Sequence, residues 1–267
     1  MRLPFPTYLD HLRAESARFR AALTGCDPER PVPTAPDWTA ADLLWHLGEV
    51  QNTWSEVVLS RPKNPDPEPD PPRPASYDGL LAFFDDASAR LVQTLTAADP
   101  SEPAYTWSGP DDQNVAFIIR RQAHEAAIHR LDAELVAGSA VAPLDPALAL
   151  DGVDECLDVM YGGLPPWGRF DPLPHYVEFR ARDAGGSVWT QLGLFSGTRP
   201  DGGETISGES DAHVVPDPGV PADAVVSGTA DDLDAWLWHR RGDERITVTG
   251  DLAIYDRLRE LLGQPIT

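Results

Sequence analysis

The stretch RRQAHEAAIHRLDAE, residues 120–134, concentrates side chains that bind metal ions: His124, Glu125, His129 and Asp132. It is one residue longer than the zinc-protease pattern HExxH, in which two histidines are ligands and the glutamate is a base. On a helix Glu125 and His129 are i and i+4, about 40° apart, so both can reach one ion. His124 and His129 are i and i+5, about 140° apart, and cannot readily chelate one ion from a regular helix. The glutamate must then be a ligand, and His124 a packing or supporting residue.

Stepping by threes and fours from Val115 gives Ile118, Gln122, Glu125, His129, Asp132 and Val136. The ends of this stripe are apolar and its middle is polar, which is costly in a core unless the groups bond to something. Two readings stand. The stripe is a solvated face, with Ile119, Ala123, Ala126 and Leu131 facing inward, or it is a site. His46, beside the apolar Leu43, Leu47 and Val50, is either a satisfied core histidine or the missing ligand. His46, Glu125 and His129 together form a His₂Glu set with a position left open, the arrangement of a catalytic divalent-metal site. Gln122 and Asp132, one turn to either side, would support the imidazole by hydrogen bonds. Such a site accepts zinc, nickel, iron or manganese, with zinc the default.

The elements that must position these residues follow from hydrophobic period. A first helix is predicted over 5–23, and a second from Thr39, where Thr39 and Asp42 resemble a capping box. Residues 61–74, RPKNPDPEPDPPRP, hold seven prolines and form an exposed connection rather than helix or inner strand. A third helix fits 77–97, with Leu80, Leu81, Phe84, Ala87, Leu91 and Leu95 buried. The fourth covers 113–137 and stops at Gly138. Four amphipathic helices of about 20 residues describe a four-helix bundle. Beyond it, 147–161 reads as helix and GGLPPWGRFDPLP as a break. HYVEFRARDAGGSVWTQLGLF reads as two strands about a Gly-Gly turn, and AVVSG through LAIYDRLRELL as strand–helix–strand–helix. The predicted fold class is multidomain, an α bundle (1–144) followed by a small α+β domain (145–267).

Composition narrows the function. A formal charge of −22 argues against nucleic acid and anionic membranes. No leader-like or membrane-spanning run occurs, so a cytoplasmic protein is expected. Cys26 and Cys156 stand alone, offering no thiolate zinc site. Lys63 is the only lysine against many arginines, a bias of GC-rich genomes.

DWTAADLLWHLGEVQNTW followed by RRQAHEAAIHRLDAE resembles the mycothiol-dependent maleylpyruvate isomerase family of DinB/YfiT-like bundles. The later VSGTADDLDAWLWHRR and ITVTGD resemble that family's sterol-carrier-protein-like second domain. The resemblance implies metal ligands at His46, Glu125 and His129. It also implies an arginine near the metal at Arg240, with Arg241 adjacent, to hold a substrate carboxylate. The other reading of that arginine is a surface cation at a helix end. Also implied are mycothiol, in an actinobacterial cell, as cofactor or co-substrate and an electrophilic small molecule as substrate, in isomerisation or S-transfer. A monomer is expected. The alternative is a non-catalytic binding module, with Trp189, Trp236 and Trp238 lining a pocket.

Overall fold

The computed structural model describes residues 2–67, 69–264 and 266. The chain divides into two compact units, Arg2–Pro143 and Leu144–Thr267.

The first unit holds four long helices: α1 (Phe5–Leu23), α2 (Ala40–Ser60), α3 (Tyr77–Ala97) and α4 (Val115–Ala137). A small hairpin, β1 (Pro31–Val32) and β2 (Ala35–Thr39), leads into α2. The capping box forms: the Asp42 amide donates to Thr39 Oγ1 at 3.2 Å and the Thr39 amide to Asp42 Oδ2 at 2.9 Å. Helix α4 starts two residues later than expected, because Asn114 caps it by accepting from the Phe117 amide. It ends at Gly138, whose φ of 72° is left-handed and suits glycine.

Contacts fix the helix directions. Glu15 bonds Arg130 and Arg18 bonds Glu134, so α1 and α4 run parallel. Arg90 bonds Asn52 and Ser55 bonds Thr94, so α2 and α3 run parallel too, while Arg20–Asp85 and Arg13–Thr96 set α1 against α3. A parallel neighbour requires the chain to return the length of a helix, about 30 Å for some twenty residues. The proline-rich connection spans it easily, at about 3.1 Å per extended residue. It carries no helix or strand among its described residues. Phe19, Leu23, Leu43, Leu44, Leu47, Leu80, Leu81, Phe84, Ala133 and Val136 meet in the core, and all six stripe residues of α3 are buried.

Helix α4 is buried nearly all round. The polar stripe and the adjacent alanine stripe are both inside, so the solvated-face reading fails. Arg130 is fully buried and donates to Glu15 Oε2 at 2.7 Å, Glu134 Oε2 at 2.8 Å and the Ala142 carbonyl at 2.6 Å. Glu134 also accepts from Arg18 and from the Ala142 amide.

The second unit contains α5 (Pro146–Glu155), which passes into a π-helical turn over Cys156–Tyr161. Its five-stranded sheet comprises β3 (Gly168–Ala181), β4 (Ser187–Thr198), β5 (Thr205–Val215), β6 (Ala224–Gly228) and β7 (Thr247–Gly250), in the order β5-β4-β3-β6-β7. Among the described residues only β3 and β6 pair in parallel; helix α6 (Ala230–Leu237) follows β6 and α7 (Leu252–Leu261) follows β7. Two expectations are corrected. GRFDPLP belongs to β3 rather than to a break, and β5 was not foreseen. The prolines are tolerated because β6 pairs only with Val177–Ala181, and the register slips between Pro172 and Tyr176.

Removing one partner of a buried ion network leaves an uncompensated charge. Glu134→Ala should therefore destabilise the first unit by about 3 kcal/mol, read as a lower denaturation midpoint in urea. An unchanged midpoint would show that the network is energetically neutral.

Candidate metal centre

Glu125 and His129 lie one turn apart on α4, and His46 projects from α2. A nitrogen of each histidine and a carboxylate oxygen of Glu125 all lie within 4.8 Å of one another. His129 Nε2 is 3.1 Å and His46 Nε2 3.5 Å from the same Glu125 Oε1. The other oxygen, Oε2, accepts from Arg121 Nη2 at 2.9 Å.

On its far side His129 Nδ1 is 3.0 Å from Asp132 Oδ2, and Asp132 Oδ1 accepts from Thr34 Oγ1 at 2.6 Å. The hairpin before α2 thus supports a carboxylate on α4. It also supplies Trp38, whose ring centroid lies 4.7 Å from that of His46 and 6.4 Å from that of His129, stacked on the latter at 24°.

Both nitrogens of His129 therefore face carboxylate oxygens, which requires a positive imidazolium or a cation in place of one proton. Burial alone would lower the His129 pKa, but hydrogen bonds to Asp132 and Glu125, with their charges, raise it to about 9. Burial would likewise raise Glu125. Hydrogen bonds from His129 and His46 and the charges of His129 and Arg121 instead hold its carboxyl well below the ordinary range. Two imidazole nitrogens and one carboxylate oxygen, with one imidazole backed by a second carboxylate, fit a divalent ion such as zinc.

Asp132 makes the supporting bond expected of it. Gln122 does not. It is buried on the same face, but its amide bonds neither Glu125 nor His129 and has no hydrogen-bond partner among the described residues. Seven residues, about 10.5 Å along the helix axis, separate it from the His129 imidazole. His124 is buried against the edge of Tyr8, with ring centroids 6.2 Å apart, and is outside the ligand set. Sequence reasoning missed Arg121, Thr34 and Trp38. Arg121 stands four residues before Glu125, a pairing that the i,i+4 rule could have found.

Arg240 lies in the second unit, in the turn after α6, where Nη1 donates to the Trp238 carbonyl at 2.7 Å. Arg241 Nη1 bonds Asp231 at 2.6 Å and Asp232 at 2.8 Å. Trp236 is buried, donates to Asp243 at 2.6 Å and carries the Arg259 guanidinium 5.1 Å over its ring, which is packing.

Comparison with known proteins completes the description. Residues 9–134 match the mycothiol maleylpyruvate isomerase N-terminal domain, and residues 147–257 the MDMPI C-terminal domain. The crystal structure of a mycothiol-dependent maleylpyruvate isomerase superposes with a TM-score of 0.57 at 13% identity, covering 92% of this chain and 93% of that one. A histidine-to-alanine mutant of that enzyme superposes with a TM-score of 0.58, at the same identity and coverage. No curated protein sequence matches. With its bundle and its α+β unit each matched by a domain of one family, in the same order, the chain belongs to the mycothiol-dependent maleylpyruvate isomerase family.

Proposed function

We propose that the protein is a thiol-dependent isomerase in which His46, Glu125 and His129 hold a divalent cation, with mycothiol as cofactor. The observation that carries this reading is the convergence of two imidazole nitrogens on one carboxylate oxygen, backed by Asp132. Bound there, ion and thiol would supply a thiolate at neutral pH, the nucleophile needed to isomerise a conjugated double bond in an electrophilic small molecule.

The chain's own residues have defined tasks. Asp132 keeps the proton of His129 on Nδ1, so that Nε2 presents its lone pair once its own proton has left. Arg121 engages Oε2 of Glu125 and leaves Oε1 to face both imidazoles. Thr34 fixes the Asp132 carboxylate. The family resemblance gives one arginine of WLWHRR the task of holding a substrate carboxylate. By its position in that motif we assign the task to Arg240, with Arg241 adjacent.

Three outcomes follow. Purified protein should carry about one divalent ion per chain, and His46→Ala and His129→Ala should lose it, as metal analysis would detect. Full retention by both variants would reject the ligand set. A metal-loaded protein without thiol-dependent turnover of unsaturated electrophiles would favour a binding module. Arg240→Ala should raise KM for a carboxylate substrate about tenfold or more, the worth of a charge-assisted bidentate pair; an unchanged KM would transfer the task elsewhere.

The third outcome concerns pH. In metal-free protein the folded pKa of His129 lies above its ordinary 6.5, at about 9. Its contribution to stability is therefore complete below pH 6.5 and is lost as pH rises through 9. Thermal unfolding in chelator should show the melting temperature falling between these limits. His129→Gln should remove that slope; the same slope in both proteins would contradict the assignment.

A further inference from the structure

A histidine that binds a metal ion through one nitrogen is usually held in place through the other, by a carboxylate, a carbonyl or water. His129 follows the rule through Asp132. His46 does not. Its side chain is 31% exposed, its Nε2 faces Glu125, and no hydrogen bond to its other ring nitrogen occurs among the described residues. What touches the ring instead is aromatic. The indole of Trp38 lies against it at 4.7 Å, tilted by 52°, and the His129 ring meets it edge-on at 4.9 Å. The same indole stacks on His129, so one side chain flanks both imidazoles.

We propose that Trp38 is a positioning residue of the metal centre, holding by ring packing a His46 imidazole whose other nitrogen has no protein partner among the described residues. This rests on the reading of His46, Glu125 and His129 as metal ligands. An unheld imidazole of this exposure samples several side-chain rotamers, and each one other than the binding rotamer weakens the ion. A flat indole face restricts the ring without supplying a hydrogen-bond partner, while Thr39, the next residue, caps α2 and fixes where the indole enters. The simpler role for Trp38 is to cover the end of the core, against which it also packs.

The two roles differ in coupling. Supporting interactions of metal ligands are typically worth 10–100-fold in metal affinity. Trp38→Leu should therefore weaken Co(II) and Zn(II) binding by about tenfold or more, and Trp38→Phe, which keeps a ring face, should recover most of it. His46→Ala leaves Glu125 and His129, a two-donor site too weak to keep its ion through purification but open to titration with Co(II), and there Trp38→Leu should cost no further affinity, because the His46 ring is gone. Equal losses in both backgrounds, or none in either, would reduce Trp38 to core packing and overturn the proposal while leaving the ligand set intact. Parent protein that takes up neither ion would overturn the ligand set, and this inference with it. NMR of the metal-free parent gives a readout independent of loading and of variant stability. The carbon-bound ring protons of His46 should be displaced upfield by the indole, and ordinary histidine shifts would overturn the proposal.

Discussion

Helix α4 has almost no solvent face, so the charged side chains on it need partners inside the protein. Buried charges left unpaired are far too costly for a fold of ordinary stability. Arg121, His129, Arg130, Asp132 and Glu134 are all buried, and each meets an opposite charge or a hydrogen-bonding group. That requirement selects the rotation of α4 about its axis and its height against α1. Turning the helix by one residue would swing Arg130 by about 100° away from Glu15. The candidate metal centre inherits its geometry from the same constraint.

Two clusters on the helix solve it differently. Around Arg130 the account closes within the protein: Arg18 and Arg130 face Glu15 and Glu134, two cations for two carboxylates, with the Ala142 peptide filling in. Around His129 the carboxylates face imidazoles instead: Glu125 and Asp132 stand on either side of the ring, and Glu125 also meets His46 and Arg121. Imidazole nitrogens turned toward carboxylate oxygens are, in the proposed reading, what sets a place for an exchangeable cation apart from a structural ion network.

Much of this was legible in the sequence. Helical period, the Thr39 cap, the proline tract and Gly138 gave the bundle, since each is a local signal. Glu125 and His129 were legible because i and i+4 share a face whatever the fold. What was not legible depends on pairings between distant segments. Thr34 and Trp38 sit in a nine-residue hairpin too short to show a period, and their roles arise only when it folds against α4 and α2. Strand β5 escaped for another reason. As an edge strand with an exposed outer row, its TISGESDAHVV lacks the apolar alternation that marks a half-buried strand. Gln122 shows the converse error, because a shared face is not a contact. Seven residues of rise put it about 10.5 Å from His129 along the axis, and its amide bonds neither ligand.

The extra residue in HEAAIH has a chemical consequence. In HExxH the helix gives two histidines to the ion and keeps the glutamate free as a base for the metal-bound water. One more residue turns the first histidine away by about 100°; here it packs on Tyr8. Glu125 then occupies the place among the donors, held at Oε2 by Arg121, and is no longer available as a base. In the proposed reading, a centre built this way has no helix-borne base beside its open position. A thiol, with an ordinary pKa near 8.5, needs far less help to ionise. The loss of the helix-borne base and the use of a thiol as the nucleophile are, in the proposed reading, two sides of the same one-residue insertion.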